Sequence, residues 1–127
     1  MSKESIFLLL AAVGLTPIAL SYGVSPGASI TYLYDFDASS VNAAHIFRAI
    51  MGLYLAMVVF WVCGAKQESL KGAALWSVII FMWGLAAGRA LSLVVDGMPD
   101  PLLVIYLVLE FGIGAVGLIF VRGLRQR

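Results

Sequence analysis

Charge is scarce in this sequence. Only 12% of its 127 residues are Asp, Glu, Lys or Arg, whereas soluble domains contain about a quarter. The formal net charge is +1, which gives neither the basic face of a nucleic-acid-binding protein nor an acidic tail. We therefore expect no nucleic-acid partner, and membrane lipid rather than water around most of the surface.

Cysteine and histidine are nearly absent. The single cysteine, Cys63, excludes an internal disulfide. The single histidine, His45, has no second histidine to share a metal ion with, and two arginines expected nearby would repel the metal. No nucleophile–base pair, phosphate-binding loop or metal motif is present either. The sequence thus predicts no metal, no cofactor and no catalytic residues.

Apolar residues dominate instead, at 62% of the chain. A helix that crosses a membrane needs about 20 mostly apolar residues. Four segments meet this requirement, namely residues 5–22, 41–63, 70–95 and 101–121. The segments between them are rich in Gly, Pro, Ser and Asp or carry a short charged run, and Pro101 suits the first turn of a helix. The pattern predicts an all-α fold, a four-helix transmembrane bundle formed by residues 1–127 as one domain.

The first of these segments also resembles a secretory signal peptide. Lys3 precedes an apolar run, and residues 19–21 form an acceptable cleavage site. Glu4 weakens the basic region, however, and cleavage would leave only three helices. We therefore interpret residues 5–22 as a membrane span.

Lys and Arg flank the spans with a complete bias. One side of the membrane would carry Lys3, Lys66, Lys71, Arg122, Arg125 and Arg127. The charged residues of the two loops on the other side are all acidic, namely Asp35, Asp37, Asp96 and Asp100. Because basic residues favour the cytoplasmic side, both termini are expected in the cytoplasm, with the protein in a bacterial inner membrane. The interfacial aromatic residues would be Trp61 and Trp76 on the inner side and Tyr22, Tyr32 and Tyr34 on the outer side.

Three charges remain inside the predicted spans. Arg48 and Arg89 lie about 10 Å from the outer ends of their helices, and Glu110 lies about 13 Å from the outer end of its helix, at about 1.5 Å of rise per residue. They fall at one depth, in the outer half of the membrane. Because an unpaired charge at this depth costs about 2.5–3.5 kcal/mol, we expect Glu110 to bond at least one arginine.

Polar neighbours recur at helical spacing beside these charges. They are Asn42 and His45 on the second span, Ser92 and Asp96 on the third, and Tyr106 on the fourth. Together they predict a polar pocket between the second, third and fourth spans, open toward the outer side. Two arginines against one glutamate would leave a positive charge, which suits a carboxylate or phosphate ligand. The alternative is structural, since buried polar pairs also fix which helices pack together.

Small residues recur at the four-residue spacing that allows membrane helices to approach closely. They occur in Gly84–Gly88, in Gly52 with Ala56, and in the cluster Gly112, Gly114 and Gly117. Such faces could pack within the bundle or between two copies of the chain.

The stretches "RAIMGLYLAMVVFW", "GLAAGRALSLVVDGMPDP" and "YLVLE" resemble a bacterial family of short four-helix membrane proteins that is labelled only as a domain of unknown function. The resemblance covers nearly the whole chain. In that family seven positions recur, here Arg48, Gly88, Arg89, Ser92, Asp96, Gly97 and Glu110. The resemblance implies the four-helix fold but lends no activity. The chain is only distantly similar to DoxX-like four-helix proteins.

Three hypotheses follow from the sequence. The first is a non-catalytic protein, either an accessory subunit of a membrane complex or a binder of a lipid or small anion. The second is a dimeric transporter in which Glu110 exchanges protons, although a neighbouring arginine would hold that carboxylate charged. The third is an enzyme for a membrane-soluble substrate, with Glu110, Asp96 or His45 as acid–base groups.

Overall fold

The computed structural model describes all 127 residues and contains five helices and no strand. The helices are α1 (Lys3–Gly23), α2 (Pro26–Tyr34), α3 (Val41–Lys66), α4 (Glu68–Val95) and α5 (Pro101–Arg125). All except α2 are long and apolar enough to cross a membrane. The predicted all-α architecture with four spanning helices is therefore confirmed.

The short helix α2 was not predicted. Pro26 occupies its first turn, where a missing N–H costs nothing, and Asp35 ends it in the left-handed region at φ 56°. Ile30 and Tyr34 are buried, so α2 folds back onto the bundle rather than extending away from it. The loop that follows is ordered by Asp37, whose carboxylate accepts hydrogen bonds from Ser39, and these bonds lower the pKa of Asp37.

The four long helices alternate in direction. The α3–α4 connection is one residue long, and Gly97, at φ +100°, allows the turn after α4. We call the end of the bundle that carries α2 and residues 96–100 the α2 end. The opposite end, which carries both chain termini and the α3–α4 connection, is the terminal end.

Helix packing is uneven around the bundle. The most extensive contacts join α1 to α3, α4 to α5 and α3 to α4, whereas α1 and α5 barely contact each other. Two glycines permit the closest crossings: a Cβ at Gly64 would clash with Ala74, and a Cβ at Gly114 would clash with the ring of Trp83. These two crossings tie α4 to both of its neighbours and leave the α1–α5 side the least closed.

The terminal end carries a network of polar contacts. The Ser5 hydroxyl donates to the carbonyl of Ala65 over 2.8 Å, which joins α1 to α3. Glu4 is completely buried, and its Oε1 lies 3.2 Å from Nη2 of Arg127, just beyond α5. The Phe7 and Phe120 rings meet nearby with centroids 5.1 Å apart. The slight contact between α1 and α5 includes these terminal-end pairs.

Three aromatic residues assigned to the membrane interfaces lie elsewhere. Trp61 is fully buried, and its indole N–H donates to the Ser77 hydroxyl over 2.9 Å. Tyr22 and Tyr34 are also buried, whereas Tyr32 is 88% exposed. The interfacial assignment was wrong for Trp61, Tyr22 and Tyr34, because a buried aromatic side chain with a polar atom can also satisfy that atom inside a bundle.

Candidate ligand site

The ion pair between Arg89 and Glu110 joins α4 to α5. Nε of Arg89 lies 3.0 Å from both carboxylate oxygens of Glu110. The two side chains are only 21% and 10% exposed, respectively. The expected bond between Glu110 and an arginine is therefore present. Its position follows from the short α4–α5 turn, which pairs the late part of α4 with the early part of α5.

Tyrosine side chains surround this pair. The guanidinium carbon of Arg89 lies 5.6 Å from the centroid of the Tyr106 ring. The Tyr34 hydroxyl donates to the Tyr106 hydroxyl over 3.5 Å. Burial raises the pKa of Tyr34 far above its usual range, so this hydroxyl keeps its proton at any physiological pH. The placement of Tyr106 beside Glu110 agrees with their four-residue spacing.

Two further tyrosines complete the cluster and were missed in the sequence. Tyr22 stacks against Tyr34 with centroids 6.1 Å apart, and Tyr54 meets Tyr22 edge-on at 5.6 Å. The signal for Tyr54 was its position within the apolar run 49–63, since a buried tyrosine hydroxyl usually needs a polar partner. Tyr22 gave no such signal, because the end of a span is also where interfacial tyrosines occur.

A pocket of about 150 Å³ lies beside the ion pair. Its lining comes from α1, α3, α4 and α5: Leu10, Ala11, Gly14, Leu15, Ile18, Tyr54, Met82, Leu85, Arg89, Tyr106, Leu109, Glu110 and Ile113. The charged groups and Tyr106 lie toward the α2 end. The wall below them runs toward the terminal end, as far as Ile113 on α5, about 5 Å below Glu110, and Met82 on α4, about 10 Å below Arg89. The pocket is therefore apolar along its length and polar at one end.

The pocket opens sideways between α1 and α5. Leu10 and Gly14 on α1 and Leu109 on α5 line it and are themselves exposed. A Cβ at Gly14 would meet nothing within 4 Å, so the space in front of it is unfilled. In a membrane this opening faces lipid, because no helix covers the α1–α5 seam there.

Arg89 retains unused hydrogen-bond donors. Only its Nε bonds Glu110, and neither terminal amino group makes an aligned hydrogen bond within the protein. The ring of Tyr106 packs against the guanidinium, and the Tyr22 hydroxyl lies close enough to interact with it. The terminal N–H groups that do not face Tyr22 are available to an acceptor that enters the pocket.

The structure does not bring the polar residues predicted on the second span into this site. Arg48, His45 and Asn42 all lie on the exposed face of α3. The inward face of α3 carries Tyr54 and Trp61, and Arg48 lies about 120° around the helix from Tyr54 at 3.6 residues per turn. Arg48 lies at a depth similar to that of Glu110, but its side chain lies on a face of its helix that is directed away from the pocket.

This placement corrects two expectations. The pocket lies between α1, α4 and α5, with Tyr54 of α3 in its wall, instead of between the second, third and fourth predicted spans. It also contains one arginine and one glutamate, so the expected surplus of positive charge is absent from it. The site offers a paired, formally neutral polar group.

Ser92 and Asp96 lie on the other side of Arg89. The Ser92 hydroxyl donates to Oδ2 of Asp96 over 2.6 Å, and both residues are exposed at the α2 end of α4. Ser92 and Arg89 line a smaller hollow of about 70 Å³ between α4 and α5. Asp96 bonds Ser92 and forms no ion pair with Arg89, so it does not belong to the pocket.

The acid–base groups of the enzyme hypothesis are not gathered in one place. Glu110 lies in the pocket, Asp96 at the end of α4, and His45 on the outer face of α3. No group of three or more His, Cys, Asp or Glu side chains lies close enough to hold a metal ion. The pocket itself offers one ion pair and two tyrosine side chains, which suits binding better than acid–base chemistry.

One protein family matches almost the whole chain. The model of the family described as a domain of unknown function, DUF4345, matches residues 4–121. The chain belongs to this family. The match covers α1 to α4 and most of α5, so every residue of the pocket lies within the DUF4345 domain. No curated protein and no solved structure matches the chain. The distant similarity to DoxX-like proteins remains a prediction.

Proposed function

We propose that this DUF4345 protein is a non-catalytic membrane protein that binds a lipid-like molecule in the pocket between α1, α4 and α5. The ligand would have an apolar chain and a neutral head that carries a hydrogen-bond acceptor, such as a carbonyl or hydroxyl oxygen. One observation carries the proposal: Arg89 uses only its Nε to bond Glu110, which leaves terminal N–H donors at the polar end of an otherwise apolar pocket.

The size of the pocket argues for a ligand that is only partly enclosed. Small-molecule pockets usually have about 300–1,000 Å³, whereas this one has about 150 Å³. A compact soluble ligand would not be buried well in such a space. A chain-like ligand can place its head and first carbons inside, while the rest passes through the α1–α5 opening into lipid.

The charge of the site argues for a neutral head. Arg89 is already paired with Glu110 at 3.0 Å, so a ligand carboxylate would have to displace Glu110 or approach it closely. Two like-charged carboxylates at such a distance repel each other. A neutral acceptor can bond the terminal amino groups while the ion pair stays intact.

We also propose the orientation and location expected from the charge bias. The terminal end carries Lys3, Lys66, Lys71, Arg122, Arg125 and Arg127, which favours the cytoplasm for that end. The pocket would then open toward the outer leaflet of a bacterial inner membrane. A lipid-like ligand would sit with its head near the outer surface and its chain toward the membrane centre.

Native mass spectrometry of the protein, extracted gently from its own membrane, tests the binding proposal. The wild type should carry a small bound mass. The Gly14→Phe variant should lose it, because Gly14 lines the pocket and a side chain there enters open space without a clash. Gly84→Phe is the matched control: Gly84 also faces open space on a spanning helix but lies outside the pocket.

Each outcome decides the proposal. Loss of the bound mass in Gly14→Phe, with retention in Gly84→Phe, supports a ligand in this pocket. Equal retention in both variants would contradict it. A wild-type protein that carries a protein subunit and no small molecule would favour the accessory-subunit hypothesis instead.

A further inference from the structure

A second polar feature lies on the opposite side of the bundle from the pocket opening. Arg48 and His45 project from the exposed face of α3 and line one surface hollow with Ser39, Ser40 and Ala44. Arg48 makes no hydrogen bond and no ion pair within the protein. An arginine on the membrane-facing surface of a spanning helix needs a partner, because charge is costly there.

The direction of the Arg48 side chain indicates where that partner lies. Helical side chains lean toward the N-terminus of their helix, and the N-terminus of α3 is at the α2 end. The other residues of the hollow all precede Arg48 in the sequence, so the guanidinium extends toward that end. Arg48 starts about 10 Å below the first residue of α3 and reaches upward toward the level of lipid headgroups, as long basic side chains near helix ends do.

The charges around the hollow favour an anion. The loops of the α2 end contain no Lys or Arg, and Arg89 is paired inside the bundle. Arg48 is therefore the one unpaired arginine in this half of the protein. The nearest acidic residue of the preceding loop, Asp37, is occupied by two hydrogen bonds from Ser39 and does not line the hollow.

We propose that Arg48, assisted by His45 and the Ser40 hydroxyl, binds the headgroup phosphate of a membrane phospholipid. A phosphodiester accepts several hydrogen bonds from a guanidinium at once. The phospholipid chains would lie along the exposed face of α3 that continues from Arg48, where Val59 is more than half exposed. This site is separate from the α1–α5 pocket and does not depend on the function proposed for it.

Photocrosslinking in lipid nanodiscs tests the proposal. The full chain is reconstituted with a small fraction of a phosphatidylglycerol analogue that carries a photoactivatable group near its headgroup, and adducts are mapped by peptide mass spectrometry. In the wild type we expect adducts concentrated on residues 39–48. Arg48→Gln should reduce them about fivefold, the effect of one basic residue at a lipid surface.

Two controls make the result specific. Arg122→Gln removes the same charge from an exposed position at the terminal end and should leave adducts on residues 39–48 unchanged. Arg48→Lys keeps the charge but loses the bidentate geometry, so it should fall between the wild type and Arg48→Gln. Adducts spread evenly over all exposed helices, or adducts on residues 39–48 that persist in Arg48→Gln, would overturn the proposal.

Discussion

Replacing the Arg89–Glu110 pair separates its structural role from its role in binding. Three variants are needed: Arg89→Met, Glu110→Met and the double variant. Methionine fills a similar length without charge and adapts to irregular space. The pair joins α4 to α5 through two 3.0 Å contacts, so either single replacement leaves its former partner buried beside the pocket.

The magnitudes should differ between the variants. Glu110→Met leaves an arginine that cannot lose its proton, and an unpaired charge at such a depth costs about 2.5–3.5 kcal/mol. Arg89→Met should cost less, because an unpaired carboxyl group can neutralise itself by taking up a proton. The double variant should lie within about 1 kcal/mol of the wild type, since apolar groups can replace a buried ion pair almost without loss.

Reversible unfolding in mixed micelles, titrated with sodium dodecyl sulfate and followed by circular dichroism, measures these differences. A cost of about 3 kcal/mol corresponds to roughly a hundredfold change in the unfolding constant. If the double variant is as unstable as the two single variants added together, the reasoning is wrong, because additive effects mean that Arg89 and Glu110 are not energetically coupled. If the double variant folds and still carries the bound mass, Arg89 is not the group that binds the ligand.

Two further predictions concern packing. Gly64→Ala should destabilise the bundle by about 1–3 kcal/mol, because the added methyl group would clash with Ala74 where α3 crosses α4. The same unfolding titration measures this cost. Gly52→Ala is the control and should have no such effect, because the space around Gly52 is open. Trp61→Phe should cost at least about 0.5–1.5 kcal/mol, because the hydrogen bond to Ser77 is lost and the smaller ring leaves a cavity at a fully buried position; an unchanged unfolding midpoint would contradict both contributions.

The spanning helices could be predicted because hydropathy alone determines them. Predicted residues 41–63 and 101–121 begin at the first residues of α3 and α5, where Ser40 and Asp100 cap the helices as their side chains allow. The helices run a few residues further at their other ends, because charged residues such as Lys66 and Arg125 also form helix once they leave the apolar region. Hydropathy reports the membrane-spanning part of a helix but not where the helix itself ends.

The direction of each side chain around its helix could not be predicted as well. The depth of a residue in the membrane follows from the number of residues between it and the end of its helix. This depth was predicted correctly for Arg89 and Glu110, which form an ion pair. Arg48 has a similar depth, but the inward face of α3 is determined by contacts with α1 and α4 that involve Tyr54 and Trp61. Because the apolar residues of a membrane helix also face lipid, the sequence carries little signal that distinguishes the inward face from the outward one.

The small residues show the same limit. Gly114 lies in a close crossing, as the spacing pattern predicts, and Gly64, which belongs to none of the predicted clusters, lies in another. Gly84 and Gly88 match the pattern best, yet a Cβ added to either would meet nothing within 4 Å, and both lie on the exposed surface. The four-residue spacing thus identifies helices with small faces, but it does not show which face contacts another helix of the same chain.

The two ion pairs of α5 explain how the bundle can remain open on one side. Arg89 holds α5 against α4 in one half, and Arg127, just beyond its last turn, contacts the buried Glu4 at the terminal end. Between these points α5 contacts α1 only slightly, and Phe7 and Phe120 are among the residues that meet. An apolar chain could therefore enter the seam from the lipid side without breaking either ion pair. This arrangement keeps the helices fixed while the pocket stays accessible, which a ligand arriving from the membrane requires.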